Sequence, residues 1–224
     1  MNGSLLEVVR GLLVRTYRIR CGLRTLEPFV IGDLGYRALY GEGRRRQSVD
    51  AGDAGARTLV RDTDRGLAAC VYFPDEMIRR LEDHPPHLGV RASNVGVFAT
   101  FVEEIDHLLL LAERSVRGRP VSLFELELHA NVSKYLVLVR FLAGSRGRLT
   151  EERRDWLHRR LFDDVEFCDE DPAVRQRYRD AARWAVRLIG ALAGLDGPRC
   201  VDALRRFHRA GVPGKLRLIE RLPG

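Results

Sequence analysis

A chain of 224 residues with 45% hydrophobic side chains holds enough apolar material for a packed core, which excludes a wholly disordered protein. The formal charge of +7 is carried almost entirely by arginine, Lys134 and Lys215 being the only lysines, and it alternates with Asp and Glu through 150–183 as on solvated helix faces. Only Arg44, Arg45 and Arg46 form a dense run, in a Gly-rich stretch without aromatics, so the basic balance reads against nucleic acid as the partner.

In chain order, Leu5, Val8, Val9, Leu12 and Leu13 have the spacing of an amphipathic helix over 4–17. Its arginines come after the apolar stretch, the wrong order for a signal peptide. Residues 41–56 lack periodicity and are rich in Gly, Asp and Arg, so a loop is predicted there. Thr58–Arg61 and Leu67–Phe73 are β-prone runs around Asp62–Gly66, a predicted hairpin over 58–73. An isolated hairpin is marginal in water, so a third strand is expected, around either 29–31 or 38–40.

After Pro74 the pattern turns helical. A short helix over 75–82 ends at Asp83-His84-Pro85-Pro86. Ser93 or Asn94 caps a long helix to about Ser115, and Ser122 with Glu125 forms a capping box that opens a second to about Ala143. The short Arg117–Pro120 link makes these two antiparallel neighbours. Thr150 starts another helix and Asp171-Pro172 a long one through Ala193, stopped by Gly194 and Gly197-Pro198. A last helix over 201–210 precedes a short tail. The expected fold is α+β and predominantly helical, a small N-terminal β-hairpin or sheet with a C-terminal helical bundle after it. Residues 1–91 and 92–224 are expected to pack as one domain, since no low-complexity linker divides them.

Cys21, Cys70, Cys168 and Cys200 are widely spaced and read as reduced thiols, which suits a cytoplasmic protein. No window reaches the roughly 18 uncharged apolar residues of a membrane span. Chemistry-bearing side chains concentrate on the two long helices. Glu103 and His107 stand at i and i+4 on one helix face, the placement by which one helix chelates a metal. On the next helix Glu125 and His129 repeat that spacing, with Glu127 offset from them, and the two E-x-x-x-H pairs form an alternative metal set. His84 and His87 flank the Pro-Pro turn, and His158 lies among arginines. Tyr178 with Arg177 and Arg179, and His208 with Arg205, Arg206 and Arg209, are candidates to line a cleft for an anionic ligand, while Tyr178, Trp184, Phe207 and Leu204 are equally candidates for packing anchors.

Residues 95–135 resemble the minimal zinc metallopeptidases of the zincin class, with a degenerate H-E-x-x-H helix. In that resemblance Glu103 stands in place of the first histidine, Glu104 matches the general-base glutamate, His107 the second histidine, and Glu127, shortly before Ala130-Asn131, the third ligand. It implies a divalent metal such as zinc, held by Glu103, His107 and Glu127, with Glu104 as catalytic base. Glu for His keeps an oxygen ligand but alters charge and geometry, so an altered or lapsed hydrolase site is what the resemblance supports. As a whole the chain also looks like bacterial proteins to which no activity attaches. The leading expectation from sequence is a non-enzymatic accessory module with a protein partner and no membrane association; the alternative is a zincin-like or helical metalloprotein.

Overall fold

The computed structural model describes residues 3–40, 55–64, 66–144, 147, 149–165 and 170–222. Most of the predicted 41–56 loop, its arginine run and Cys168 lie outside the described residues. The fold is α+β and mostly helical, with a three-stranded sheet built from the N-terminal part and helices making up most of the C-terminal part. Helix α1 (Leu5–Tyr17) starts at Ser4, whose hydroxyl accepts from the Glu7 amide, and it buries Val9, Leu13 and Tyr17 at successive turns. Strand β1 (Val30–Ile31) leads into α2 (Asp33–Tyr40), so of the two sites expected for a third strand the first holds it and the second is helical. Strands β2 (Arg57–Thr63) and β3 (Gly66–Tyr72) form the predicted hairpin, with Gly66 at φ 109, a conformation that favours glycine. Central β3 pairs antiparallel with β2, Thr58 opposite Val71, and parallel with β1, Val30 opposite Val71.

Helix α3 (Asp75–Asp83) leads through a Pro-Pro turn to α4 (Val95–Val116). Asn94 sits at the start of α4 but its side chain does not cap the helix. Its carbonyl accepts from the Arg91 amide and its NH2 donates to the carbonyls of His84 and Gly89, which ties down the loop carrying His84 and His87. Helix α5 (Leu123–Ala143) is capped by Ser122, whose hydroxyl accepts from the Glu125 amide at 3.1 Å. The reciprocal half of the expected capping box is not formed, because the Glu125 carboxylate bonds Arg114 and Lys215. Helices α6 (Glu151–His158) and α7 (Pro172–Ala193) start at Thr150 and Asp171 as the sequence predicts.

The C-terminus differs from the sequence reading. Gly197-Pro198 opens a helix: the Asp196 carboxylate accepts from the Arg199 amide, Pro198 fits the first turn where its missing N–H costs nothing, and α8 runs Gly197–Arg209. Where a short tail was expected, α9 (Val212–Arg221) packs Ile219 into the core. One continuous apolar cluster takes Tyr17 from α1, Val71 and Phe73 from the sheet and its C-terminal edge, Phe98 and Ile105 from α4, Leu128 from α5, Ala181 and Leu188 from α7, and Phe207 from α8. Burying each such Leu, Ile or Phe contributes about 1.5–3 kcal/mol. Alanines 181, 182 and 185 are the buried residues in the middle of α7, and short side chains at a helix contact let the axes approach closely, here against α5.

Candidate metal centre

The polar contacts between α4 and α5 run in opposite sequence order: Arg114 meets Glu125, Asp106 meets His129, and Glu103 meets Lys134. The helices are therefore antiparallel, and α4 presents polar groups along two stripes. Residues 103 and 107 form one, 106 and 113 the other, each at helical repeat spacing.

The first stripe assembles the predicted ligand set. Glu103, His107 and Glu127 each bring one ligand atom within 4.8 Å of the others, the sole such group of three found among the described residues. His107 and Glu127 are buried, and the His107 Nε2 is a buried nitrogen without a hydrogen-bond partner among the described residues. Such orphans are rare in folded proteins, and each asks for a ligand or an internal water. The Glu104 carboxylate accepts from the Thr58 hydroxyl of β2 at 2.7 Å and stands 3.6 Å from His107 Nδ1. The Lys134 ammonium donates to Glu103 at 2.8 Å.

Crowded charge shifts these groups. Burial alone would lower the His107 pKa, but the contact with Glu104 and the charges of Glu104, Glu127 and Glu103 outweigh it and push it up to about 10. Burial and the neighbouring Glu103 carboxylate push Glu127 up to about 7. Glu103 goes the other way: burial opposes its charge, but Lys134 and His107 outweigh that and lower its pKa. Tyr178 of α7 is pushed up to about 12 by burial and by the charges of Glu127 and Glu103, and the Arg177 guanidinium lies 5.6 Å from the centre of its ring.

The other predicted pair is not brought together. Glu125 is committed to Arg114 at 2.6 Å and Lys215 at 3.3 Å, while His129 lies in a separate, fully buried chain. There Asp106 Oδ2 is 2.7 Å from His129 Nδ1, His129 Nε2 is 2.9 Å from His208 Nδ1, and His208 Nε2 closes on Glu113 by a short bond. Burial and the charge of His208 depress the His129 pKa to about 4, in spite of Asp106, so its ring is neutral at pH 7. Burial opposes the charge on Glu113, but the bonds from His208 and the Arg20 amide hold it down to about 2. These states assign the protons. Asp106 is below the usual carboxylate range, so His129 Nδ1 donates to it and His129 Nε2 is left as the acceptor of the contact with His208 Nδ1. Tyr17 stacks on His208 with ring centroids 5.1 Å apart and hydrogen-bonds Ser133 at 2.9 Å.

The sequence reading gave no site role to Asp106, Glu113, Arg114, Tyr17 or Lys215, and it offered His208 as a candidate to line an anion-binding cleft, whereas His208 is buried here. The available signal was seven-residue spacing: Asp106 and Glu113 recur on the face of α4 that also carries Leu109 and Leu110. The remaining candidates are simpler. His158 pairs with Asp163 at 3.3 Å on the surface, and Trp184 is partly buried against the core with the Arg187 guanidinium over its ring. Among the described residues no helix is long and apolar enough to cross a membrane. Comparison of the chain with protein-family models, with curated proteins and with solved structures returned no match.

Proposed function

We propose that the protein binds one divalent metal ion between α4 and α5, with Glu103, His107 and Glu127 as its protein ligands. The observation that carries this reading is the convergence of three ligand atoms within 4.8 Å around an orphaned His107 Nε2. Ligand atoms of a tetrahedral ion with bonds near 2.1 Å lie about 3.4 Å apart, so side-chain rotation of roughly 1 Å completes the shell. One imidazole and two carboxylates suit a borderline ion such as zinc, and three protein ligands leave a fourth position for water, as in catalytic zinc sites. Glu104 takes a positioning role in this reading in place of the base that the zincin resemblance implies. Its contact with His107 Nδ1 fixes the ring and leaves Nε2 for the ion, the carboxylate–histidine–metal arrangement common around bound metals.

The test is the metal content of protein purified without a polyhistidine tag, wild type beside His107→Ala, by elemental analysis. Near-stoichiometric zinc, manganese or iron in the wild type and its loss in the variant support the reading. Equal content in both proteins would place any metal elsewhere and overturn it.

A further inference from the structure

Lys134 stands 2.8 Å from Glu103 in the same cluster, seven residues beyond Glu127 on α5 and so on the same helix face. The pair is largely shielded, with 15% and 22% of the two side chains exposed, so solvent screens it less than an ordinary surface ion pair. We infer that Lys134 is the resident counter-cation of Glu103 in this centre, and that a divalent ion binds by exchanging with its ammonium at that carboxylate. The inference rests on the metal reading above and adds what controls it.

Without a cation, Glu103 faces Glu127 across the helix interface with Glu104 close by, three carboxylates in one shielded place. Lys134 relieves that repulsion. An ion on Glu103 carries the same sign as the ammonium, so both cannot keep that carboxylate at contact distance. The flexible four-carbon lysine stem lets the ammonium swing to water while the ion takes its place. The exchange needs no change in the protonation of Lys134. Its consequence is a weakened apparent affinity, since each ion must first displace an internal competitor.

The chain supplies its own readout, because Lys134 and Lys215 are its only lysines. Lys215 is fully buried, donating to the carbonyls of Phe207, His208 and Ala210, and serves as an unreactive reference. The experiment uses chelator-stripped full-length protein at one fixed pH. Zinc affinity is measured by calorimetry for wild type, Lys134→Met and Lys134→Gln, and lysine acetylation by an N-hydroxysuccinimide ester is tracked by peptide mass spectrometry with and without zinc. The expected result is at least tenfold tighter zinc binding in both variants, and severalfold faster acetylation of wild-type Lys134 when zinc is present. Unchanged or weaker affinity in the variants, with unchanged acetylation of Lys134, overturns the exchange while leaving the metal reading standing. Zinc bound by none of the proteins overturns the metal reading itself. Zinc bound by the variants alone overturns both, because no ion then exchanges with Lys134 in the wild type.

Discussion

Arg114 joins three elements at one buried point: its Nη2 donates to the Glu125 carboxylate at 2.6 Å and to the carbonyls of His208 and Ala210, each at 2.9 Å. Those carbonyls end α8, so the contact holds α8 and the start of α9 against the α4–α5 junction. Removing one partner of a buried ion pair costs about 3–5 kcal/mol when the other is left alone. Here Lys215 remains 3.3 Å from Glu125 and still serves the His208 and Ala210 carbonyls, which favours the low end. Arg114→Met is therefore expected to cost about 3 kcal/mol in urea denaturation, and to lower Tm by about 6–12 °C for a chain of this size. Arg114→Met combined with Lys215→Met leaves the Glu125 charge with neither cation. The double variant should lose at least about 1 kcal/mol more than the sum of the single losses. A single-variant cost below about 1 kcal/mol, or simple additivity, would refute the view that the two cations share one buried acceptor set.

The Glu113 pKa, held at about 2 against an ordinary 4.5, makes stability depend on acid. The unfolded chain binds the proton more readily, so the contribution is complete above pH 4.5 and is lost as pH falls towards 2. Its full size is about 3 kcal/mol, of which about 2 kcal/mol is gone by pH 3. The stability difference between wild type and Glu113→Gln in urea should shrink accordingly from pH 6 to pH 3, and a constant difference would contradict the assignment. Tyr17→Phe removes only the hydroxyl that meets Ser133 and should cost about 1 kcal/mol by the same assay. Zinc at a hundredfold excess over its Kd should stabilise the wild type by about 2.7 kcal/mol, read as a raised Tm, and should leave His107→Ala unmoved.

Period and punctuation made much of the fold legible: the Ser122, Thr150 and Asp171 caps, the hairpin and the long α4–α5 pair all come from local rules. The C-terminus did not, because Gly197-Pro198 is equally a stop for α7 and a start for α8, and only the tertiary position of the next turns decides. For the site, i and i+4 spacing found Glu103 and His107, and the zincin resemblance pointed to Glu127. The same spacing was misleading for Glu125 and His129. A helix face says which side chains share a stripe but not what the neighbouring helix sets opposite them, and Arg114, Lys215 and His208 arrive from distant sequence. Asp106 could not be valued from sequence, since its partner His129 became meaningful only once α5 lay antiparallel to α4.

The most direct test of the central claim is a zinc titration of chelator-stripped protein, comparing wild type, His107→Ala and Glu127→Gln at pH 8. The account predicts one bound equivalent in the wild type and a loss of at least tenfold in affinity in each variant. No saturable binding in the wild type, or full binding that survives in His107→Ala, would contradict it.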